Sequence, residues 1–100
     1  MSHKKITLEE LAYWEDQASK AAKSNRYKID GAICAIKWAL RKPRSLQELR
    51  DEFEILKEGR DTPQIKDIKF DVMRINRDLY RMRAIKKLGI RLKEVDRGQM

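Results

Sequence analysis

Residues 77–91, RDLYRMRAIKKLGIR, hold six cations against one carboxylate, with leucine, tyrosine, methionine and isoleucine threaded between them. Ammonium and guanidinium groups at this density attract phosphates, and guanidinium and aromatic planes stack on bases. On a helix, Lys66, Lys69, Phe70, Met73, Arg77, Tyr80, Ala84 and Lys87 share one face that alternates cations with flat or flexible apolar groups. The plainer reading makes Phe70, Met73 and Tyr80 a widened core stripe with lysine stems lying over them. Arg77, Arg83, Lys86, Lys87 and Arg91 resist it. Only Asp78 lies nearby to offset them, and two cations would suffice to complement a helix dipole. A smaller basic cluster, Arg41, Lys42 and Arg44, is an ordinary helix end or a second contact point.

Other chemistry finds little support. His3 is the sole histidine and is far in sequence from the sole cysteine, Cys34, so no zinc set is expected. Cys34 has no histidine for a dyad, and its apolar helix predicts an inert, buried thiol. Glu9 with Glu10 and Asp51 with Glu52 fall on exposed helix faces, whereas general-acid work needs a carboxyl raised by burial. No glycine-rich phosphate loop is present. The expectation is a protein that is not an enzyme, with no metal, no cofactor and no small-molecule substrate.

The elements that must position these residues are helical. Thr7-Leu-Glu-Glu10 is a capping-box pattern that starts a first helix running to about Ser24, with Leu11, Trp14, Ala18 and Ala21 as its stripe. Residues 23–26 read as a turn. A second helix, 27–41, carries Ile29, Ile33, Ile36 and Leu40 on one face, Tyr27, Cys34 and Trp38 on another, and alanines between them. A helix apolar on most sides is central. Pro43 ends it. Ser45-Leu-Gln-Glu48 is a second capping box, opening a third helix over 46–58 with Gly59 as its left-handed stop. Thr62-Pro63 starts a fourth, 63–88, stopped at Gly89. Its core seam is Ile65, Ile68, Val72, Ile75, Leu79 and Met82. A second stripe, Asp67, Asp71, Arg74, Asp78 and Arg81, pairs its charges on the surface.

These helices predict a single all-α domain, a small four-helix antiparallel bundle with a long, basic C-terminal helix and flexible ends at 1–6 and 92–100. The fourth helix would be about 39 Å long against about 21–26 Å for the others, so it should overhang the bundle or bend, the overhang falling at its C-terminal end if it starts flush with the third.

Charge follows the same division. The chain has 100 residues, a net charge of +8, 41% hydrophobic and 40% charged residues, against about 25% charged in average globular chains. Residues 64–100 hold eleven cations and five acids, most of the surplus. The longest apolar run, about five residues at 32–36, is far below the roughly 20 of a membrane span. One cysteine and no apolar leader point to a cytoplasmic protein. A helix-turn-helix over helices two and three is disfavoured, since its recognition helix carries Glu48, Asp51, Glu52, Glu54 and Glu58 and would meet phosphates of its own sign.

LRDEFEILK followed by IKDIKFDVMRIN resembles the helical hairpin of the small two-helix large-subunit ribosomal protein beside the peptide exit tunnel. Asp71, Val72, Arg74 and Ile75 would occupy its D-I-x-R-I core. The likeness covers under half of the chain, the connection is shorter and residues 1–40 have no counterpart, so no function is drawn from it.

The leading expectation is a non-enzymatic protein that binds a polyanion, RNA favoured over DNA, or a nucleoprotein, through the basic end of the long helix. Charge reversal at Arg77, Arg83 and Lys87 would test it. The alternative is a regulator or inhibitor of the kind phages and mobile elements encode, docking on a larger protein with Phe70, Met73 and Tyr80 as anchors. Self-association through an overhanging seam is a third option. A membrane surface is disfavoured by Asp67, Asp71 and Asp78.

Overall fold

The computed structural model describes the backbone of residues 2–61 and 68–98 and the side chains of 3–59 and 72–95. It contains four helices: α1 (Ser2–Lys20), α2 (Lys23–Arg41), α3 (Leu46–Asp61) and α4 (Ile68–Gly98). Thr62-Pro63, Ile65, Lys66 and Asp67, and the side chains of Ile68, Lys69, Phe70 and Asp71, lie outside the described residues.

The two capping-box patterns part company. Ser45 is the N-cap of α3: its Oγ accepts the Glu48 N–H at 3.1 Å. Lys42 before Pro43 is extended, at φ −152° and ψ 155°, as proline requires of its predecessor. Thr7 instead lies inside α1, and its hydroxyl donates to the His3 carbonyl at 2.6 Å. Helix therefore occupies 2–6, where a flexible lead was expected. The α1–α2 break comes at Ala21-Ala22, because Ser24 and Asn25 are tolerated in a first helical turn.

Both glycine stops are corrected. Gly59 lies within α3, and its carbonyl accepts Arg74 Nη1 at 3.1 Å, so no left-handed cap is needed there. Gly89 lies within α4, which continues because Leu92 buries itself in the core. No described residue has a positive φ.

Successive helices alternate in direction. Gly31 faces Arg77 and Cys34 faces Arg81, so α2 runs parallel to α4. Leu49 lies by Gly89 and Gly59 by Arg74, so α3 runs antiparallel to α4. Trp14 packs edge-on to Tyr80 and Glu10 meets Arg91, so α1 is antiparallel to α4 as well. The parallel pair α2 and α4 forms the most extensive contact, α1 leans on both, and the backbone of α3 approaches α4 alone among the described helices. The result is a bundle flattened along one diagonal, 49 × 30 × 19 Å, whose long axis matches the roughly 46 Å of α4. No described helix is long and apolar enough to cross a membrane.

The core is Ile6 and Trp14 of α1, Ile29, Ala32, Ala35, Ile36 and Ala39 of α2, Leu49 and Leu56 of α3, and Met82, Ala84, Ile85, Leu88 and Leu92 of α4. This overturns the expected C-terminal overhang, and of the expected seam it buries Met82 and half-buries Ile75 and Leu79 but turns Val72 outward. Val72 is 51% exposed, whereas Leu92, taken for tail, is 2% exposed. The apolar pattern changes phase at Met82: continued by sevens it would run through Lys86 and Gly89, but the buried positions are Ile85, Leu88 and Leu92. Among the described side chains of α4, burial is densest from Met82 to Leu92.

Candidate nucleic-acid interface

Burial divides the expected contact residues into two groups. Lys87 and Arg91 face α1. Arg91 Nη1 donates to Glu10 Oε1 at 3.0 Å, Arg91 Nη2 bonds Glu9, and Lys87 Nζ sits 3.8 Å from Glu10 Oε2 and 3.2 Å from the Tyr13 ring centre. The Glu10 side chain is 1% exposed. A buried carboxylate is tolerable when cations and hydrogen bonds compensate it, which is what Arg91 and Lys87 supply. The hydrogen bond from Arg91 holds Glu9 below the usual carboxylate value of 4.5. The bonds with Glu9 and then Glu10 push Arg91 further up, partly opposed by burial. Tyr80 is half-buried against Trp14, and Ala84 is fully buried.

Asp78 also turns inward. It lies between Arg74 at 3.6 Å and Arg81 at 3.5 Å. The expected pairing is present, but it is set into the packed side of α4 instead of its surface. Arg81 reaches on to Cys34 Sγ at 3.6 Å, and Cys34 is exposed, not buried.

The second group is solvent-facing. Met73, Arg77, Arg83 and Lys86 are exposed along α4, with Lys93 beyond them. Arg83 lies 5.1 Å from the Tyr80 ring centre, a contact that leaves its charge unneutralised. Among the described residues no carboxylate pairs with Arg83 or Lys86, and none stands three or four residues away on the helix. Lys66, Lys69 and Phe70 fall outside the described side chains.

At the end of the bundle where α2 gives way to α3, Arg41, Lys42 and Arg44 meet the start of α1. Together with His3 and Lys4 they rim a cleft of about 180 Å³. Arg44 lies over Trp38 at 4.0 Å, donates to the Trp38 carbonyl at 3.1 Å and pairs with Glu48 at 3.3 Å. Lys42 reaches Glu48 only at 4.0 Å. Sequence reasoning placed His3 and Lys4 in a loose lead and so missed them. The signal was there: Ile6 extends the Trp14 stripe back by two turns, and Ile6 is buried.

Among the described residues no cluster of His, Cys, Asp and Glu could hold a metal ion. Comparison with known proteins finds no matching family, no matching curated relative and no matching solved structure. The likeness to the ribosomal hairpin thus gains no support.

Proposed function

We propose that this is a non-enzymatic, cytoplasmic protein that binds RNA or a nucleoprotein through phosphate attraction to its exposed cations. The observation that carries the reading is the pair Arg83 and Lys86, exposed on α4 with no carboxylate partner among the described residues. Internal pairing consumes acids as well as cations: Glu9, Glu10 and Asp78 are all engaged by α4 arginines. That pairing sets four cations, Arg74, Arg81, Lys87 and Arg91, against these three acids, so it offsets little of the surplus of +8, which meets counterions or phosphates.

The test is fluorescence anisotropy with a labelled single-stranded RNA across a salt series. Affinity should fall linearly with salt on logarithmic axes, by a slope of about 0.7 per phosphate contact. Arg83→Glu with Lys86→Glu should weaken low-salt binding about 10-fold or more and leave the melting temperature unchanged. No binding at low salt, or equal binding by the double variant, removes the proposal. Lys87 and Arg77 are poor test positions, because Lys87 compensates Glu10 and Arg77 packs on Gly31.

A second reading, a regulator docking on a larger protein, is favoured by Val72 and Met73, which stand 51% and 44% exposed side by side at the start of α4. Exposed apolar anchors suit a protein partner, and Arg77 beside Met73 would steer the encounter. A pull-down with and without nuclease separates the two: a single protein retained after digestion supports the regulator.

A further inference from the structure

We infer that the cleft at the α2–α3 end is a seat for one unstacked base of a single-stranded nucleic acid, with its cationic rim holding the flanking phosphates. The inference rests on the polyanion reading and names a site for it apart from Arg83 and Lys86.

Three observations converge. The rim is basic: of its charged members, Lys42 and Arg44 share a single carboxylate, Glu48, while Lys4 and Arg41 are exposed with no ion pair among the described residues. The floor is apolar, built by Ala39 and Leu40 of α2 and Leu88 and Leu92 of α4. Its one hydroxyl, Thr7, is already committed to the His3 carbonyl. Size decides the class of occupant. About 180 Å³ is well below the roughly 300–1,000 Å³ of sites that enclose a whole small molecule. It exceeds the roughly 150 Å³ cavity that accepts benzene. One ring system carried on a larger anionic body fits both limits. Arg44, fixed over Trp38, forms part of the wall, and a guanidinium plane is a surface on which bases stack. With the Thr7 hydroxyl able only to accept and the rest of the floor apolar, the seat should be largely tolerant of sequence.

The experiment compares a uridine oligonucleotide with an abasic phosphodiester of equal length and charge, at one salt concentration. Binding through the seat predicts about 10-fold tighter binding of the base-bearing probe, as expected for stacking of a base. Lys4→Glu with Arg41→Glu should weaken the uridine probe and narrow its advantage over the abasic one. Melting curves check that this variant, changed at two exposed positions, stays folded. Equal affinity for the two probes overturns the seat and leaves the polyanion reading standing. A base preference untouched by Lys4→Glu and Arg41→Glu overturns it too, because the base is then held elsewhere. Failure of both probes to bind removes the function from which the inference starts.

Discussion

Gly31 sits at a close approach of α2 to α4. A Cβ there would lie 2.4 Å from Arg77 Cγ and 2.8 Å from the Arg77 carbonyl oxygen. The side-chain atom can swing aside, but the carbonyl can move only with its helix. Alanine gains about 1 kcal/mol of helix propensity over glycine, while overpacking costs about 1–3 kcal/mol. Gly31→Ala should therefore destabilise by up to about 2 kcal/mol. Gly89 is the control, since its Cβ would meet only Leu49 Cδ1 at 4.0 Å. There the propensity gain stands alone, and Gly89→Ala should stabilise by up to about 1 kcal/mol. Urea unfolding of the two variants checks this; shifts of the same sign would show that the α2–α4 approach is looser than the geometry states. Cys34 carries a second residue-scale expectation. It is exposed, with the Arg81 guanidinium 3.6 Å from its sulfur. A thiol reagent should label it stoichiometrically in the native protein without denaturant, and protection until unfolding would contradict its exposed position.

Between elements, the clearest device is the strap of α1 onto α4 through Glu9, Glu10 and Arg91. Removing Arg91 leaves Glu10, almost wholly buried, with Lys87 alone at 3.8 Å. Arg91→Met should cost about 2–4 kcal/mol, since breaking a buried pair from one side strands the other charge. Chemical denaturation measures it, and a neutral result would mean that water already compensates Glu10. The strap also sets an acid response. Glu9 has its pKa lowered from 4.5 by the Arg91 hydrogen bond, so its contribution is fully present above pH 4.5. It is lost as pH falls below 4.5 through the depressed folded-state value, while Arg91 stays charged throughout. Glu9→Gln should flatten the stability profile below pH 4.5; an unchanged acid limb would discount the bond. Parts of this level were legible in the sequence. Thr7 and Ser45 open the same threonine-or-serine pattern, yet only Ser45 caps. Pro43 bars helix before Ser45, whereas nothing bars it before Thr7, so His3 becomes helical and takes the hydroxyl. The distinction lay upstream of the motif. The strap itself was not legible, because it joins residues 81 and 82 apart in the chain, and local spacing says nothing about such pairs.

At the scale of the molecule, the central place expected of α2 goes to α4, the one described helix that contacts all the others, but the helix count follows from apolar periodicity, which reports local structure directly. Which half of α4 the bundle encloses does not. That depends on the phase change at Met82 and on the register set by Gly31 against Arg77, both products of packing. The candidate site was legible to the same degree: the surplus of cations is a property of composition, but their division into paired and free groups needed the fold. The fold also distributes stability unevenly. α2 is held by α1 on one side and α4 on the other, with Ala32, Ile36 and Ala39 buried between them. Among the described residues α3 approaches α4 alone and gives the buried core Leu49 and Leu56, with Leu46 and Phe53 partly buried against it. A helix with one described neighbour and a small share of the buried core has least to lose by detaching. Native-state hydrogen exchange should therefore show α3 amides opening at a lower free energy than those of α2, as one cooperative unit that includes Leu49 and Leu56. Leu49→Ala should lower α3 protection while α2 protection falls only as far as global stability does. Equal protection of the two helices would instead mean that α3 and α2 unfold together, with the Ser45 cap and the Arg44 contacts to Trp38 and Glu48 binding them into one body.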